Sequence, residues 1–130
     1  MNLQKEKKYL GQLGEQIVAQ FLENEGYMIE SQNWVGQSGE LDLVVWLDQT
    51  LIFVEVRSMK SMWLDRPSLA ISKKKQMQVA RCGDEYIRKR IKSALAYTHI
   101  RFDVVGVLWK SPKHYEIDYI ENAFESPWGF

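Results

Sequence analysis

The stretch GELDLVVWLDQTLIFVEVR, residues 39–57, contains two runs of aliphatic and β-branched residues on either side of the polar triplet Asp48-Gln49-Thr50. Two such runs with a short connection predict a pair of antiparallel strands. A carboxylate interrupts each run, Asp42 in the first strand and Glu55 in the second. Side chains alternate between the two faces of a strand, so Asp42 shares its face with Glu40 and Glu55 shares its face with Arg57. The pattern predicts that acidic positions of the two strands converge.

Carboxylates brought together on a half-buried surface raise each other's pKa and destabilise the fold unless a cation lies between them. A hard divalent metal is the natural cation, because Mg²⁺ prefers oxygen ligands and often uses one or two carboxylates together with water. Asp42, Glu55 and the carbonyl oxygen of Val56 can supply such ligands. The alternative is that both carboxylates are ordinary residues of a half-exposed sheet, with Glu55 and Arg57 forming an ion pair of little energetic value.

Outward from this hairpin, apolar residues recur at helical spacing between residues 7 and 25, and Gly26 follows as a C-cap. A strand begins at Tyr27, and residues 59–67 are typical of a loop. Ser72 is a suitable N-cap for a second helix that runs to about Lys92. Two further strands are predicted at residues 100–109 and 115–120. The order αβββαββ predicts an α/β fold in which a mixed central sheet is flanked by two main helices.

Length and composition indicate one domain over residues 1–130, since 45% of the residues are hydrophobic and 26% are charged. Seventeen basic and seventeen acidic residues cancel, so net charge gives no argument for a nucleic-acid or membrane partner. A single cysteine and the start MNLQKEKKYLGQ, which lacks an apolar signal segment, favour a cytoplasmic protein. No apolar run approaches the roughly 18 residues that a membrane-spanning helix needs, so no membrane partner is expected.

Several spaced motifs follow one another in order and together cover nearly the whole chain. They are GxxGExxxA at Gly11, Gly14, Glu15 and Ala19, GELDLV at 39–44, FVEVR at 53–57, Lys75-Gln76, RFDVV at 101–105 and NAF at 122–124. These motifs resemble the small YraN-like family, which is itself similar to the Holliday-junction-resolvase-like nucleases of the restriction-endonuclease-like PD-(D/E)XK superfamily.

The resemblance implies a restriction-endonuclease-like fold and metal-dependent hydrolysis of phosphodiester bonds in DNA, including branched or recombination intermediates. In the superfamily pattern, an Asp and then a Glu-X-Lys on the next strand bind the metal and handle the attacking water. Carried over, Asp42 is the first acid, Glu55 is the second, and Glu15 matches an additional carboxylate on the first helix. The implied cofactor is Mg²⁺ or Mn²⁺, held by Asp42, Glu55, Val56 and Glu15. The resemblance leaves a homodimer open.

Arg57 departs from the superfamily pattern, which has lysine at this position. A guanidinium stays charged, so Arg57 can orient a phosphate or stabilise its charge but cannot accept a proton from water. Either the metal activates the water, or Lys75 reaches the site from the second helix. The departure also fits another class of protein, a catalytically inactive nucleic-acid or protein-binding module on the same scaffold. A third reading is a structural protein that docks through its aromatic tail ESPWGF.

The run Ser72-Lys73-Lys74-Lys75 places three cations at a helix N-terminus, where the helix dipole favours anions. A bound phosphate group would compensate for this arrangement, so residues 73–75 together with Gln76 are candidate nucleic-acid contacts. The equally favoured alternative is a solvated helix end whose lysines point away from any site. Arg101 and Asp103, at the start of a predicted strand, are expected to form a buried structural ion pair.

Overall fold

The computed structural model describes residues 3–60, 69–90, 97 and 99–127. Their elements follow the predicted order αβββαββ. The helices and strands are α1 (Leu3–Asn24), β1 (Met28–Val35), β2 (Glu40–Leu47), β3 (Thr50–Lys60), α2 (Lys73–Arg90), β4 (His99–Ser111) and β5 (His114–Phe124). The prediction of an α/β fold with a mixed sheet and two main helices is therefore confirmed.

The five strands form one sheet in the order β1-β2-β3-β4-β5. Neighbouring strands are antiparallel except for β3 and β4, which are parallel and are connected through α2. The helices cover opposite faces, since Val18 and Leu22 of α1 pack with Val45 and Val54 while α2 packs on the other side. The α2 side includes Val44, Phe53, Cys82, Tyr86 and Phe102. Each strand thus sends alternate side chains into one of two cores.

Both predicted helix caps are present. Gly26 has a φ of 93°, and the Tyr27 amide donates to the Leu22 carbonyl over 2.9 Å, so the last turn of α1 closes in a Schellman-type arrangement. At the start of α2, the Ser72 hydroxyl accepts the Lys75 amide hydrogen over 3.1 Å. These caps fix where the first helix ends and where the second begins.

Some boundaries differ from the sequence-based prediction. The first helix begins at Leu3 rather than Lys7, and β3 continues to Lys60 although Met59 was predicted to begin a loop. The reason is long-range pairing, because residues 58–60 lie beside residues 107–109 of β4. The rest of the predicted loop and the expected helix end near Lys92 fall largely outside the described residues. Within the described ranges, no helix is long and apolar enough to cross a membrane.

Candidate functional site

The strand faces of the two carboxylates agree with the prediction. Leu43 pairs with Val54, and the same register continued by one residue places Asp42 opposite Glu55. Backbone pairing between β2 and β3 stops there, and Oδ2 of Asp42 accepts the backbone N–H of Val56 over 2.9 Å. The N–H and C=O of one strand residue point to the same side of the strand, so the Val56 carbonyl is also directed towards β2. Asp42 and Glu55 therefore lie opposite each other where β2 and β3 separate, and the Val56 carbonyl is directed to the same side of β3.

Burial and mutual repulsion make these carboxylates harder to ionise than usual. Desolvation, followed by the charge of Asp42, raises the pKa of Glu55 from an ordinary 4.5 to about 7. Desolvation also raises the pKa of Asp42, although the Val56 hydrogen bond and the Lys75 charge oppose it. A partly buried acidic pair with raised pKa values is typical of functional sites, because it is a costly arrangement that a bound cation relieves.

Two basic side chains reach this acidic pair from different elements. Nζ of Lys75 lies 3.5 Å from Oε1 of Glu55, and the Lys75 side chain is 41% exposed whereas that of Glu55 is 14% exposed. Arg57 shares the β3 face with Glu55 and donates from its guanidinium to the Ala70 carbonyl over 3.0 Å. Their positive charges oppose the rise in the pKa of Glu55, with Lys75 the stronger of the two. The prediction that Lys75 reaches the site from the second helix is thus consistent with its position.

A cavity of about 390 Å³ opens beside the carboxylates. Its walls combine one carboxylate, one guanidinium, one ammonium and a hydroxyl with the start of α2, and they are formed by Glu55, Arg57, Ala70, Ile71, Ser72 and Lys75. Such mixed walls can accommodate two kinds of ligand. The acidic pair suits a cation, and the basic groups suit an anion. The chemistry suited to the cavity is therefore the binding of an anionic group through a shared cation.

Glu15 approaches the same region from the opposite face of the sheet. A Cβ on Gly14 would lie 3.2 Å from the Ser58 hydroxyl oxygen, so the glycine lets α1 pack closely against β3. Burial, followed by the charge of Asp42, raises the pKa of Glu15, whereas the Asn33 side chain lowers it. The close helix packing therefore brings a third acidic side chain within electrostatic reach of Asp42.

The donor set suits Mg²⁺ or Mn²⁺ through a small number of protein ligands. In the described part of the chain, no group of three or more His, Cys, Asp or Glu side chains is arranged to hold a metal ion. Glu15 is accordingly close to Asp42 without completing such a group. Mg²⁺ is commonly bound by one or two carboxylates, with water and substrate oxygens completing its octahedron. Asp42, Glu55 and the Val56 carbonyl fit that requirement.

The remaining predicted nucleic-acid contacts divide into two kinds. Lys73 and Lys74 are exposed on the first turn of α2, on the same element that delivers Lys75. The Gln76 side chain donates to the Ile71 carbonyl over 2.9 Å, so its amide supports the segment that leads into the helix. Binding of nucleic acid by residues 73–76 stays a prediction.

Sequence reasoning missed the contribution of Glu85, a helix residue whose side chain is only 5% exposed. Its carboxylate accepts the backbone N–H groups of Gln37 and Ser38 over 2.8 and 2.9 Å, and Lys89 Nζ lies 2.7 Å away. The hydrogen bond from Lys89, followed by those from the two amides, lowers the pKa of Glu85 to about 2. Glu85 thus ties α2 to the turn from which β2 emerges with Asp42. A glutamate among basic helix residues gives no sequence signal for this role.

The predicted ion pair between Arg101 and Asp103 is confirmed as a buried structural feature. Arg101 donates two hydrogen bonds of 2.8 Å to the Asp103 carboxylate, whose side chain has no exposed surface. Asp103 also accepts hydrogen bonds from the Tyr119 hydroxyl and from the backbone N–H of Asn122. The network joins β4 to β5, and it accounts for a polar motif that the acidic site does not use.

Known proteins resemble this chain over a range that includes the candidate site. A family model described as "Uncharacterised protein family UPF0102" matches residues 14–107, a range that contains Glu15, Asp42, Glu55, Arg57 and Lys75. A UPF0102 protein of Syntrophus aciditrophicus is 40% identical over 120 residues, which cover 92% of this chain and 91% of the relative. A UPF0102 protein of Alkaliphilus oremlandii is 36% identical over 117 residues, 90% of this chain and 98% of the relative. A third, from Flavobacterium johnsoniae, is 31% identical over 119 residues, 92% and 96% of the two chains.

Proposed function

We propose that this chain, which belongs to the uncharacterised protein family UPF0102, is a metal-dependent nuclease that hydrolyses phosphodiester bonds in DNA, including branched or recombination intermediates. The observation that carries the proposal is the partly buried pair Asp42 and Glu55, which converge beside Lys75 and a cavity whose walls include Arg57 and Lys75. Mutually repelling carboxylates at such a place are stabilised by a divalent cation, and the basic groups beside them suit a phosphate.

The cation would be Mg²⁺ or Mn²⁺, held by Asp42, Glu55 and the Val56 carbonyl, with Glu15 close to Asp42. When bound, it would polarise the phosphoryl group and neutralise the charge that develops during hydrolysis. The hydrogen bond from the Val56 amide fixes Asp42 in its orientation before any ligand arrives. The acidic pair therefore acts as a preorganised cation-binding site.

Arg57 and Lys75 divide the work that the superfamily pattern gives to one strand lysine. Arg57 is anchored at the Ala70 carbonyl, and its permanent charge suits a phosphate oxygen. Lys75 reaches Glu55 from α2, and an ammonium can donate to the attacking water as well as to the phosphate. The N-terminal amides of α2 and the exposed Lys73 and Lys74 extend this positive surface towards a nucleic-acid backbone.

One observation favours the rival function, a nucleic-acid or protein-binding module without catalytic activity. The strand position next to Glu55 carries Arg57, which cannot act as a base. The two functions make different demands on the acidic pair, since only a nuclease requires Asp42 and Glu55 to hold a cation during its reaction. Metal dependence therefore separates them.

The test is a nicking and branched-DNA cleavage assay with Mg²⁺ and Mn²⁺. Asp42→Asn should abolish cleavage, and Arg57→Ala should lower it, since each removes one charge that the reaction needs. Arg57→Lys should preserve or raise activity. Lys75→Gln should lower it, whereas Lys113→Gln, in the exposed turn after β4, serves as the control and should not. If the parent and Arg57→Lys are both inert while the parent binds DNA without metal, the nuclease proposal is wrong and the binding module replaces it.

A further inference from the structure

A second cavity, of about 570 Å³, lies on the α1 side of the sheet. It shares no wall residue with the cavity beside the acidic pair, which opens at the start of α2. Three aromatic side chains, one leucine and two glutamates form its walls: Phe21, Glu25, Tyr27, Leu47, Tyr119 and Glu121. The proposed nuclease reaction uses none of these residues.

The three aromatic rings of this cavity form one group centred on Tyr119. The centroid of the Tyr119 ring lies 6.4 Å from that of Phe21 and 6.3 Å from that of Tyr27, with interplanar angles of 41° and 39°. All three rings are half-buried and pack on the core between α1 and the sheet. A ring face carries partial negative charge and attracts a cation within about 6 Å of its centroid. Partly accessible, mutually tilted rings therefore suit a cation with apolar substituents.

Contacts outside the cavity hold two of these rings in place. The Tyr119 hydroxyl donates to the Asp103 carboxylate, which is itself buried and bonded to neighbouring groups. Tyr27 directly follows the cap of α1, and its backbone N–H donates to the Leu22 carbonyl over 2.9 Å. Walls that are ordered before a ligand arrives reduce the conformational entropy lost on binding. The aromatic part of the cavity is thus preorganised.

The charges around the cavity favour a cation. Glu25 and Glu121 are exposed, and the last turn of α1 contains no basic residue to offset the negative end of the helix dipole. One guanidinium is near, since Nη1 of Arg101 lies 4.0 Å from Oε2 of Glu121. That guanidinium is already paired with Asp103 through two hydrogen bonds of 2.8 Å. Three carboxylates and one guanidinium leave two negative charges on these four groups.

We propose that this cavity binds an organic cation, an ammonium or guanidinium group whose apolar flanks contact the rings while its charge faces Glu25 and Glu121. The cavity volume lies within the range of about 300–1,000 Å³ that is usual for small-ligand pockets. The cation can belong to a free small molecule or to a side chain of a partner protein, because both present the same chemistry. The site is separate from the acidic pair, so this inference does not depend on the nuclease proposal.

A purely structural explanation of these residues predicts a different response to ligands. If the rings only complete the core and the two glutamates are only solvated, the cavity should not distinguish a cation from a neutral molecule of the same shape. Choline and dimethylbutanol form such a pair, since the alcohol has carbon in place of the charged nitrogen. Capped Gly-Arg-Gly and capped Gly-citrulline-Gly form a second pair, because citrulline replaces the guanidinium by a neutral urea group.

The experiment follows the backbone amide signals of the parent protein by NMR while each of the four ligands is added. We expect at least one cation to shift the signals around Tyr27 and Tyr119, and to bind about 5- to 10-fold more tightly than its neutral counterpart. Tighter binding of choline would favour a free small molecule as the ligand. Tighter binding of the arginine peptide would favour a side chain of a partner protein.

Two variants test the charges and the rings separately. Glu25→Gln combined with Glu121→Gln removes both charges and should weaken cation binding by about 5-fold. Tyr27→Leu keeps apolar bulk but removes one ring, and it should weaken cation binding by about 2- to 5-fold. Glu23→Gln and Tyr115→Leu change exposed residues outside the cavity, and these controls should bind the cation as the parent does.

The inference would be overturned if the parent bound each cation no more tightly than its neutral counterpart, or if neither cation shifted any signal. Unchanged cation affinity in the double glutamine variant would also overturn it. That variant keeps the test decisive even if Tyr27→Leu disturbs the fold, because both glutamates are exposed. The titrations contain neither metal nor DNA, so their outcome and that of the cleavage assay are judged independently.

Discussion

Replacing Glu55 by Gln should make the metal-free protein more stable at pH 8 while having little effect at pH 5. Glutamine has nearly the shape of a protonated glutamate and carries no charge, so it removes the repulsion with Asp42 without opening a cavity. Glu55 in the folded protein holds its proton more tightly than an ordinary glutamate, because it is partly desolvated and lies next to another carboxylate. The substitution thus isolates the free energy that the folded protein spends on ionising this group.

The size of the effect follows from the pKa of Glu55, which rises from 4.5 to about 7 on folding. Below pH 4.5 the group is protonated in both states and carries no penalty. Between pH 4.5 and 7 the folded state binds more protons than the unfolded state, so the free energy of unfolding falls as pH rises. Above pH 7 the penalty is complete, and at 1.36 kcal/mol per pH unit it amounts to about 3 kcal/mol.

Urea unfolding in EDTA at pH 5 and pH 8 measures this difference directly. Glu55→Gln should gain about 2–3 kcal/mol over the parent at pH 8. Glu23→Gln, which changes an exposed residue of α1, should show no such gain. Mn²⁺ at about 100 times its Kd should then stabilise the parent by about 2.7 kcal/mol, and the glutamine variant much less. The reasoning would be refuted if the free energies of unfolding of the parent and Glu55→Gln differed by the same amount at pH 5 and pH 8.

Four further outcomes are expected. Replacing all three residues of the range 73–75 by Gln should weaken DNA binding and reduce its salt slope by up to about 3, measured by fluorescence anisotropy; an unchanged slope would contradict the phosphate contacts. Gly39→Ala should lose about 1–3 kcal/mol in urea unfolding, because Gly39 has a φ of 140°. Asp103→Asn should cost about 3–5 kcal/mol, since it leaves Arg101 without its buried partner; a thermal midpoint equal to that of the parent would refute this. Glu85→Gln should destabilise the protein more at pH 7 than at pH 2, because the stability gained from ionised Glu85 is lost as pH falls through about 2.

Much of the fold could be predicted from local patterns. Alternating and helical spacing of apolar residues identified the seven elements that the described residues form, and the short connection at residues 48–50 set an antiparallel hairpin. The extension of β3 through Met59 could not be predicted, because its stability comes from pairing with Leu108 of β4, far along the chain. Element order is a local property of this sequence, whereas strand length depends on a partner.

In the candidate site, too, local patterns could be predicted and contacts between distant elements could not. Asp42 and Glu55 could be placed together, because strand parity and turn length determine which residues face each other. The sequence could not show whether a side chain of α2 reaches the strand carboxylates, because that depends on how the helix packs on the sheet. The contact between Lys75 and Glu55 was therefore only one of two alternatives in the sequence analysis. Glu85 gave no signal, since a hydrogen bond to a distant turn has no pattern in the sequence.

The parallel pairing of β3 with β4 has a consequence for the order in which the protein matures during synthesis. Every residue proposed for the site precedes residue 77, whereas β4 begins at His99 and sets Val104 beside Glu55. A nascent chain that has released only its first 76 residues therefore carries the acidic pair without the strand that encloses it. We expect Glu55 to stay hydrated at that stage, because the desolvation that raises its pKa begins only when the last third of the chain has emerged and docked.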